Sequence, residues 1–151
     1  MSLPIQPGRP AGMPPEDSAP SRAFGAERTP YAALGGDEAV RRLVGLFYDT
    51  MDEDARFAPI RALHKAHLAE ARGKLHEFLC GWLGGPQLYI QKYGHPHLRA
   101  RHMPFPIGPR QRELWLACMA IALDACGVDG ELRAFLDARF THVATFMENT
   151  P

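Results

Sequence analysis

Residues 94–108, GHPHLRARHMPFPIG, decide the fold that we expect for this chain. The stretch sets three histidines and two arginines beside an apolar turn stiffened by proline. His102 directly follows Arg101, and Pro104 two residues later ends any helix that carries this histidine. An imidazole at a helix end, with guanidinium groups just upstream, suits a cofactor that takes an axial nitrogen ligand and carries carboxylates.

The chain on either side of this stretch has the pattern of helices with one buried face. An apolar stripe of helical period follows Asp37, and Tyr48 lies at its edge. The members of that stripe are Val40, Leu43, Val44, Phe47 and Met51. Similar stripes occupy residues 67–83, residues 109–127 and the segment after Asp129. No segment alternates with period two between turn signals, so the sequence predicts an all-α fold.

Turn and capping residues mark where these helices begin and end. Thr29 followed by Pro30 is typical of a helix start. The glycine pair at 35–36 is typical of a break between two helices. Residues 84–86, GGP, combine a residue suited to positive φ with one that cannot continue a helix. Between residues 52 and 65 we expect only short helical turns.

Residues 1–28 differ in composition from the rest of the chain. They are rich in proline and lack an apolar period, so we expect a disordered, solvated tail that is dispensable for folding. Residues 29–151 are then the folded domain, which is long enough to bury a core.

The composition of the chain argues against a nucleic-acid partner, a membrane partner and export. The 17 basic and 17 acidic residues balance, which argues against general attraction to nucleic acid or to an anionic membrane. No segment has the apolar length of a membrane span or the pattern of a secretory signal, and we expect a cytoplasmic protein. Cys80, Cys118 and Cys126 have no CxxC spacing, and we interpret them as buried free thiols.

The 7 histidines raise the alternative of a zinc site. His95, His97 and His102 lie close in sequence, and His64 and His67 form a second pair. No cysteine or carboxylate falls at a recognised zinc spacing from them, so this alternative is the weaker one.

The run GHP-x-LRARH-x-PFPIG, with GWLGGP-x-LY before it and ELWLACM after it, resembles the group II truncated haemoglobins. These are small haem-binding globins with a two-on-two helical sandwich, and the resemblance covers about residues 29–149. It implies a haem b cofactor whose iron is held by His102. It also implies that Arg101, in preference to Arg99, pairs with a haem propionate, and that Phe105 and Ile107 line the proximal side. The further haem contacts that it implies are Phe78, Leu79, Tyr89, His95 and Met119.

The same resemblance assigns the opposite, distal face of the haem. Tyr48 and Trp115 become hydrogen-bond donors toward a bound gas molecule, and His64 falls at the corner before the distal helix. Ala71 and Leu75 take the positions over the iron, where neither can donate a hydrogen bond. We expect His67 and His76 to face solvent, off the side of that helix that carries Ala71 and Leu75.

Reversible binding of dioxygen, nitric oxide or carbon monoxide is the function that this resemblance implies. The alternative is a redox enzyme, a nitric oxide dioxygenase or peroxidase, which would need a separate electron-donor reductase because no reductase module is recognisable. A haem-free helical interaction domain is a third class, which the colour of the purified protein would distinguish. The sequence leaves monomer and homodimer equally open.

Overall fold

The structure, a computed structural model, describes residues 24–151, so most of the expected tail lies outside the described residues. Within residues 24–151 the regular elements are helical and no strand occurs, which confirms the all-α prediction. The elements are α1 (Pro30–Leu34), α2 (Asp37–Glu53), a 3-10 turn (Ala55–Phe57), α3 (Ala58–Arg61), α4 (Ala69–Trp82), α5 (Leu88–Tyr93), α6 (Leu98–His102), α7 (Pro109–Ala125) and α8 (Gly130–Met147).

The expected capping residues begin and end these helices. The Thr29 hydroxyl accepts a hydrogen bond from the Ala32 N–H at 3.0 Å, directly before Pro30 opens α1. Gly35 ends α1 with φ at 126°, a backbone conformation that L side chains rarely adopt. Pro109 starts α7, and the Gly108 N–H donates to Gln111 Oε1 at 2.9 Å. Local sequence alone thus determines where α1 and α7 begin.

Two helix pairs, α2 with α4 and α7 with α8, stack on each other to form the sandwich. α2 packs against α4 and against α7, and α7 packs in turn against α8. All members of the predicted stripe on α2 are buried, and so is Tyr48 at 5% exposure. The two-on-two arrangement is therefore confirmed. No helix in residues 24–151 combines the length and the apolar composition that a membrane crossing requires.

Phe24 packs into the core although the sequence places it in the tail. It is 6% exposed, and its ring centroid lies 5.0 Å from that of Phe135 on α8. The Arg28 guanidinium lies 4.5 Å from the Phe24 ring centroid, and Arg28 also pairs with Glu131 at 3.6 Å. An isolated aromatic residue in a polar segment has no periodic partners, so pattern analysis does not detect its burial.

We expect Phe24→Ala to lower the free energy of unfolding by about 3 kcal/mol, because truncating a buried aromatic ring leaves a cavity. Urea denaturation measures this change. A chain truncated to begin at residue 24 is the matched control for one that begins at residue 29, since only the second lacks the ring. Equal stability of the two truncated chains would mean that Phe24 contributes nothing to the core.

Candidate cofactor site

A cavity of about 260 Å³ lies between the two helix pairs. Nine of the side chains that the sequence analysis singled out line it: Tyr48, His64, Leu75, Phe78, Leu79, His102, Phe105, Ile107 and Trp115. Lining residues that the sequence analysis did not name as site residues are Ile60, Leu63, Trp82, Leu98, Gln111, Arg112, Phe140, Val143, Ala144 and Met147. The wall is mostly apolar, with a few polar groups directed into it from several helices, which is the usual build of a small-molecule site.

His102 ends α6 with its ring in a defined orientation. Its Nδ1 lies 2.7 Å from the Leu98 carbonyl oxygen, one helical turn earlier. A carbonyl oxygen only accepts hydrogen bonds, so Nδ1 carries the proton and Nε2 keeps its lone pair. An imidazole whose second nitrogen is fixed in this way is the usual form of a metal-ligating histidine. His102 is half-buried on the cavity wall, and its Nε2 has the chemistry of an axial ligand.

Asn149 ties the turn after α6 to the end of α8. Its Nδ2 donates to the His102 carbonyl at 3.2 Å and to the Phe105 carbonyl at 2.9 Å, while its Oδ1 accepts from the Ile107 N–H at 2.9 Å. The backbone N–H of Asn149 also donates to the Ile107 carbonyl at 2.8 Å. Sequence analysis missed Asn149, because a polar residue after a helix carries no local signal of partners more than forty positions away.

Arg99 supports the same junction and is not among the residues that line the cavity. Its Nη1 donates to the Phe146 carbonyl at 2.8 Å and to the Glu148 carbonyl at 2.7 Å. A guanidinium that neutralises the C-terminal end of α8 stabilises that helix end. Arg99 is therefore a structural link between α6 and α8. A contact between Arg99 and a haem propionate stays a prediction, and it would require Arg99 to give up these two hydrogen bonds.

We expect Asn149→Ala to speed the loss of a bound cofactor by about tenfold, because the substitution removes three hydrogen bonds that hold the segment after His102. Transfer of haem to excess apomyoglobin measures this rate. Asn149→Asp is the matched variant: it keeps the acceptor for Ile107 but sets a carboxylate oxygen against the His102 and Phe105 carbonyls, and it should release haem at least as fast as alanine. An Asn149→Ala protein that releases haem at the wild-type rate would contradict this positioning role.

Tyr48 and Trp115 lie on either side of Phe47 in an edge-to-face series of rings. The Phe47 ring centroid is 5.1 Å from that of Tyr48 and 5.3 Å from that of Trp115. Burial raises the pKa of the Tyr48 phenol well above its ordinary value, so the hydroxyl remains protonated and able to donate. Both rings line the cavity, and each brings one polar hydrogen to an otherwise apolar region.

His64 joins Tyr48 on this side of the cavity. The two ring centroids lie 5.7 Å apart in an edge-to-face arrangement. His64 Nδ1 lies 2.9 Å from the Ile60 carbonyl, so this ring too carries its proton on Nδ1 and leaves Nε2 with a lone pair. Burial lowers the pKa of His64, the hydrogen bond to the Ile60 carbonyl opposes this shift in part, and the charge of Arg61 acts in the same direction as burial. His64 is thus kept neutral at neutral pH.

This lowered pKa predicts a pH dependence of stability. The unfolded chain takes up a proton on His64 near its ordinary pKa of about 6.5, whereas the folded chain does so only at lower pH. Between those two values the unfolded state binds more protons, so the free energy of unfolding falls as pH decreases below about 6.5. We expect His64→Gln to flatten this fall in urea denaturation, whereas His67→Gln at an exposed position should not. An unchanged slope in His64→Gln would show that His64 titrates alike in both states.

Five further residues that the resemblance implied lie outside the cavity wall. Met119 is fully buried in the core, and Ala71 packs against that core at partial burial. Tyr89 lies under the exposed Arg101, whose guanidinium carbon is 5.9 Å from its ring centroid. His95 accepts the His97 N–H on Nδ1 at 3.0 Å. Their roles toward a cofactor stay predictions.

His76 corrects the sequence analysis, since it does not face solvent. It is 5% exposed, and its Nε2 lies 2.7 Å from Asp37 Oδ1 on α2. The helical pattern of α4 places His76 on a different side of the helix from Ala71 and Leu75. That pattern cannot show that α2 covers the side that carries His76. His67 is exposed, as expected.

Two polar residues on the wall had no signal in the sequence. The Trp82 indole N–H is buried with no hydrogen-bond partner, although its ring stacks on Phe140 at 5.2 Å between centroids. Arg112 lines the cavity and forms an ion pair with Glu148 at 2.9 Å. A buried hydrogen-bond donor without a partner is rare in a folded protein. A bound molecule that accepts a hydrogen bond from the Trp82 N–H would explain this one.

Comparison with known proteins gives a consistent result. A family model described as bacterial-like globin matches residues 29–149. The group 2 truncated hemoglobin YjbI of Bacillus subtilis (strain 168) is 42% identical over 120 residues, which cover 80% of this chain and 88% of that protein. The cold-adapted truncated hemoglobin of the Antarctic marine bacterium Pseudoalteromonas haloplanktis has a TM-score of 0.79 at 41% identity, over 82% of this chain and 99% of that one. The group II 2-on-2 hemoglobin of the plant pathogen Agrobacterium tumefaciens gives 0.78 at 41% identity, over 82% and 95% of the two chains.

Proposed function

The chain belongs to the bacterial-like globin family, whose members bind haem, and we propose that it holds haem b through His102 and binds dioxygen and other diatomic gases reversibly. The observation that carries this proposal is the hydrogen bond from His102 Nδ1 to the Leu98 carbonyl, which leaves Nε2 as the ligating nitrogen of a residue on the cavity wall.

The residues around the cavity fit haem in three respects. Its walls are largely apolar and aromatic, which suits a flat porphyrin. Of the two histidines on the wall, His102 is the one proposed to supply an imidazole to the iron, since His64 packs against Tyr48. The unpartnered indole N–H of Trp82 is a buried donor that a bound cofactor with polar edges can satisfy.

A cation on the wall is suited to the carboxylates of haem. Arg112 occupies this place and is held by Glu148, which a cofactor carboxylate would replace as its partner. Arg101 is exposed beside Tyr89 and is the second candidate. We therefore propose Arg112, ahead of Arg101 and Arg99, as the propionate partner.

Haem held through His102 would supply an iron that can bind a diatomic gas. The protein then determines how firmly that ligand is held. The Tyr48 hydroxyl and the Trp115 indole N–H are donors in a region shielded from water, where a hydrogen bond to an acceptor with partial negative charge is strong. The neutral His64 ring packs against Tyr48 and restricts its orientation. Leu75 contributes only apolar surface to the wall.

A haemin titration of the purified protein tests this function. Both tryptophans of the chain line the cavity, so their fluorescence should fall steeply and level off at one haem per chain, together with growth of the Soret band. Reduction followed by dioxygen or carbon monoxide should then give two distinct spectra. A titration with no end point at one equivalent, or fluorescence that haem leaves unquenched, would contradict binding in this cavity.

Location in a reducing cytoplasm stays part of the proposal. Its support is that Cys80, Cys118 and Cys126 are all free, and Cys80 and Cys118 are buried.

A further inference from the structure

Three side chains with different donor atoms converge where α2 meets α4, and none of them lines the cavity. Asp37 stands at the start of α2. His76 and Cys80 lie four residues apart on α4, a spacing that puts both on the same helix face. Their donor atoms all lie within 4.8 Å of one another.

The distances between these atoms are close to those in a tetrahedral zinc site. Cys80 Sγ lies 3.5 Å from His76 Nε2 and 3.8 Å from Asp37 Oδ1, and His76 Nε2 lies 2.7 Å from Asp37 Oδ1. Zinc bonds of about 2.3 Å to sulfur and about 2.0 Å to nitrogen and oxygen put neighbouring ligand atoms roughly 3.3 to 3.5 Å apart. The contact between His76 and Asp37 must lengthen by about 0.6 Å, and the contact between Cys80 and Asp37 must shorten by about 0.3 Å, on the same geometry. The Asp37 side chain is 46% exposed, and its other partner, Arg41, is itself on the surface, so a shift of this carboxylate does not disturb the core.

A nucleophilic cysteine is the alternative chemistry for these residues, and the geometry disfavours it. A relay from carboxylate through imidazole to thiol uses both ring nitrogens, whereas here Nε2 alone faces both Asp37 and Cys80. Burial raises the pKa of the Cys80 thiol to about 11, so few thiolates exist without a cation. One nitrogen, one oxygen and one sulfur atom gathered within 4.8 Å of one another are instead a donor set that can hold a metal ion.

The charges around the cluster are also compatible with a divalent cation. The Asp37 carboxylate and a Cys80 thiolate together neutralise two positive charges. Arg41 opposes a cation here, but its Nε binds the other carboxylate oxygen, Oδ2, at 2.9 Å and leaves Oδ1 directed toward His76. The exposed side of Asp37 opens the site to solvent, from which water can reach a fourth coordination position.

We propose that Asp37, His76 and Cys80 bind one Zn²⁺ ion, with water as the fourth ligand. Thiolate, imidazole and carboxylate together favour zinc, whereas calcium and magnesium prefer oxygen ligands alone. Asp37 is 39 residues from His76 and 43 from Cys80 along the chain, so bound zinc joins α2 to α4 in the folded state only. Zinc thereby stabilises the fold by mass action.

Zinc K-edge X-ray absorption on the haem-loaded protein tests the site directly, because the haem iron does not contribute at that edge. With one equivalent of Zn²⁺ added, we expect one sulfur neighbour at about 2.3 Å and lighter neighbours near 2.0 Å. Calorimetric titration should show one site per chain, weakened at least tenfold by Cys80→Ser and by His76→Asn. Cys126→Ser and His142→Asn, at a second cysteine and an exposed histidine, are the matched controls and should bind like wild type.

Cys80 and His76 are buried, so substitutions there can lower stability for reasons unrelated to zinc. A further variant at a less buried ligand is therefore needed. Asp37→Asn at the exposed ligand serves, and zinc should raise the thermal unfolding temperature of wild type but not of this variant. A zinc spectrum without sulfur, a calorimetric site that survives Cys80→Ser, or no uptake at micromolar zinc would each overturn the proposal. None of these outcomes depends on whether the cavity binds dioxygen.

Discussion

His102→Ala is expected to lose the histidine-ligated ferrous spectrum of the haem-loaded protein. The substitution leaves the cavity intact but removes Nε2, and we expect His64, the other histidine on the wall, not to replace it because its ring packs against Tyr48. Free imidazole added to the variant should enter the vacated volume and restore much of the spectrum. Absorption spectra of the reduced protein, recorded against imidazole concentration, measure both effects.

The neighbouring histidines provide the controls for this experiment. His95 and His97 lie outside the cavity wall, with their ring centroids 4.2 Å apart, so alanine at either position should leave the spectrum unchanged. If His102→Ala retained an unaltered histidine-ligated spectrum while His95→Ala or His97→Ala lost it, the assignment of the ligand would move within residues 94–108.

Trp115→Phe and Tyr48→Phe should each speed dioxygen dissociation by roughly ten- to a hundredfold. Each variant keeps most of the ring packing around Phe47 but loses one polar hydrogen on the cavity wall. A hydrogen bond to a charged acceptor in a site shielded from water contributes about 1.5 to 3 kcal/mol. A loss of about 1.4 kcal/mol weakens a binding equilibrium tenfold. Among related complexes most of such a change appears in the dissociation rate constant.

Carbon monoxide is the internal control for these two variants, because it carries much less negative charge on its outer atom and gains little from a donor. Its dissociation should change far less than that of dioxygen. Stopped-flow measurement of both gases therefore separates a lost hydrogen bond from a wider exit path. Equal acceleration of the two gases, or of neither, would remove Tyr48 and Trp115 from the ligand site.

The elements that sequence predicts well here are those whose signals are local. The stripe on α2 repeats within one helix, and Thr29 and Pro109 mark helix starts through residues one to three positions away. The prediction of His102 as a ligand has a similar basis, since the residues around it are spaced as in a known family, and the structure shows this residue on the cavity wall. Each of these inferences needs only neighbours along the chain.

The parts that sequence did not predict depend on contacts between distant segments. Asn149 reaches residues 42 to 47 positions earlier, and nothing near it in sequence indicates those partners. His76 was placed in solvent because its partner, Asp37, lies on another helix and leaves no signal near His76 in the sequence. Arg112 reaches the wall only through the packing of α7 against α8, which no single helical pattern specifies.

The links between α6 and α8 determine how the ligand side of the cavity opens. A helix of five residues such as α6 has almost no stability of its own in water. Its persistence comes from Arg99 and from the bonds that join the following turn to Asn149. Local opening therefore involves the two segments as one cooperative unit, and the amides of Ile107 and Asn149, each bonded to the other residue, exchange their hydrogens together. We expect fraying at the end of α8 to loosen the backbone that follows His102.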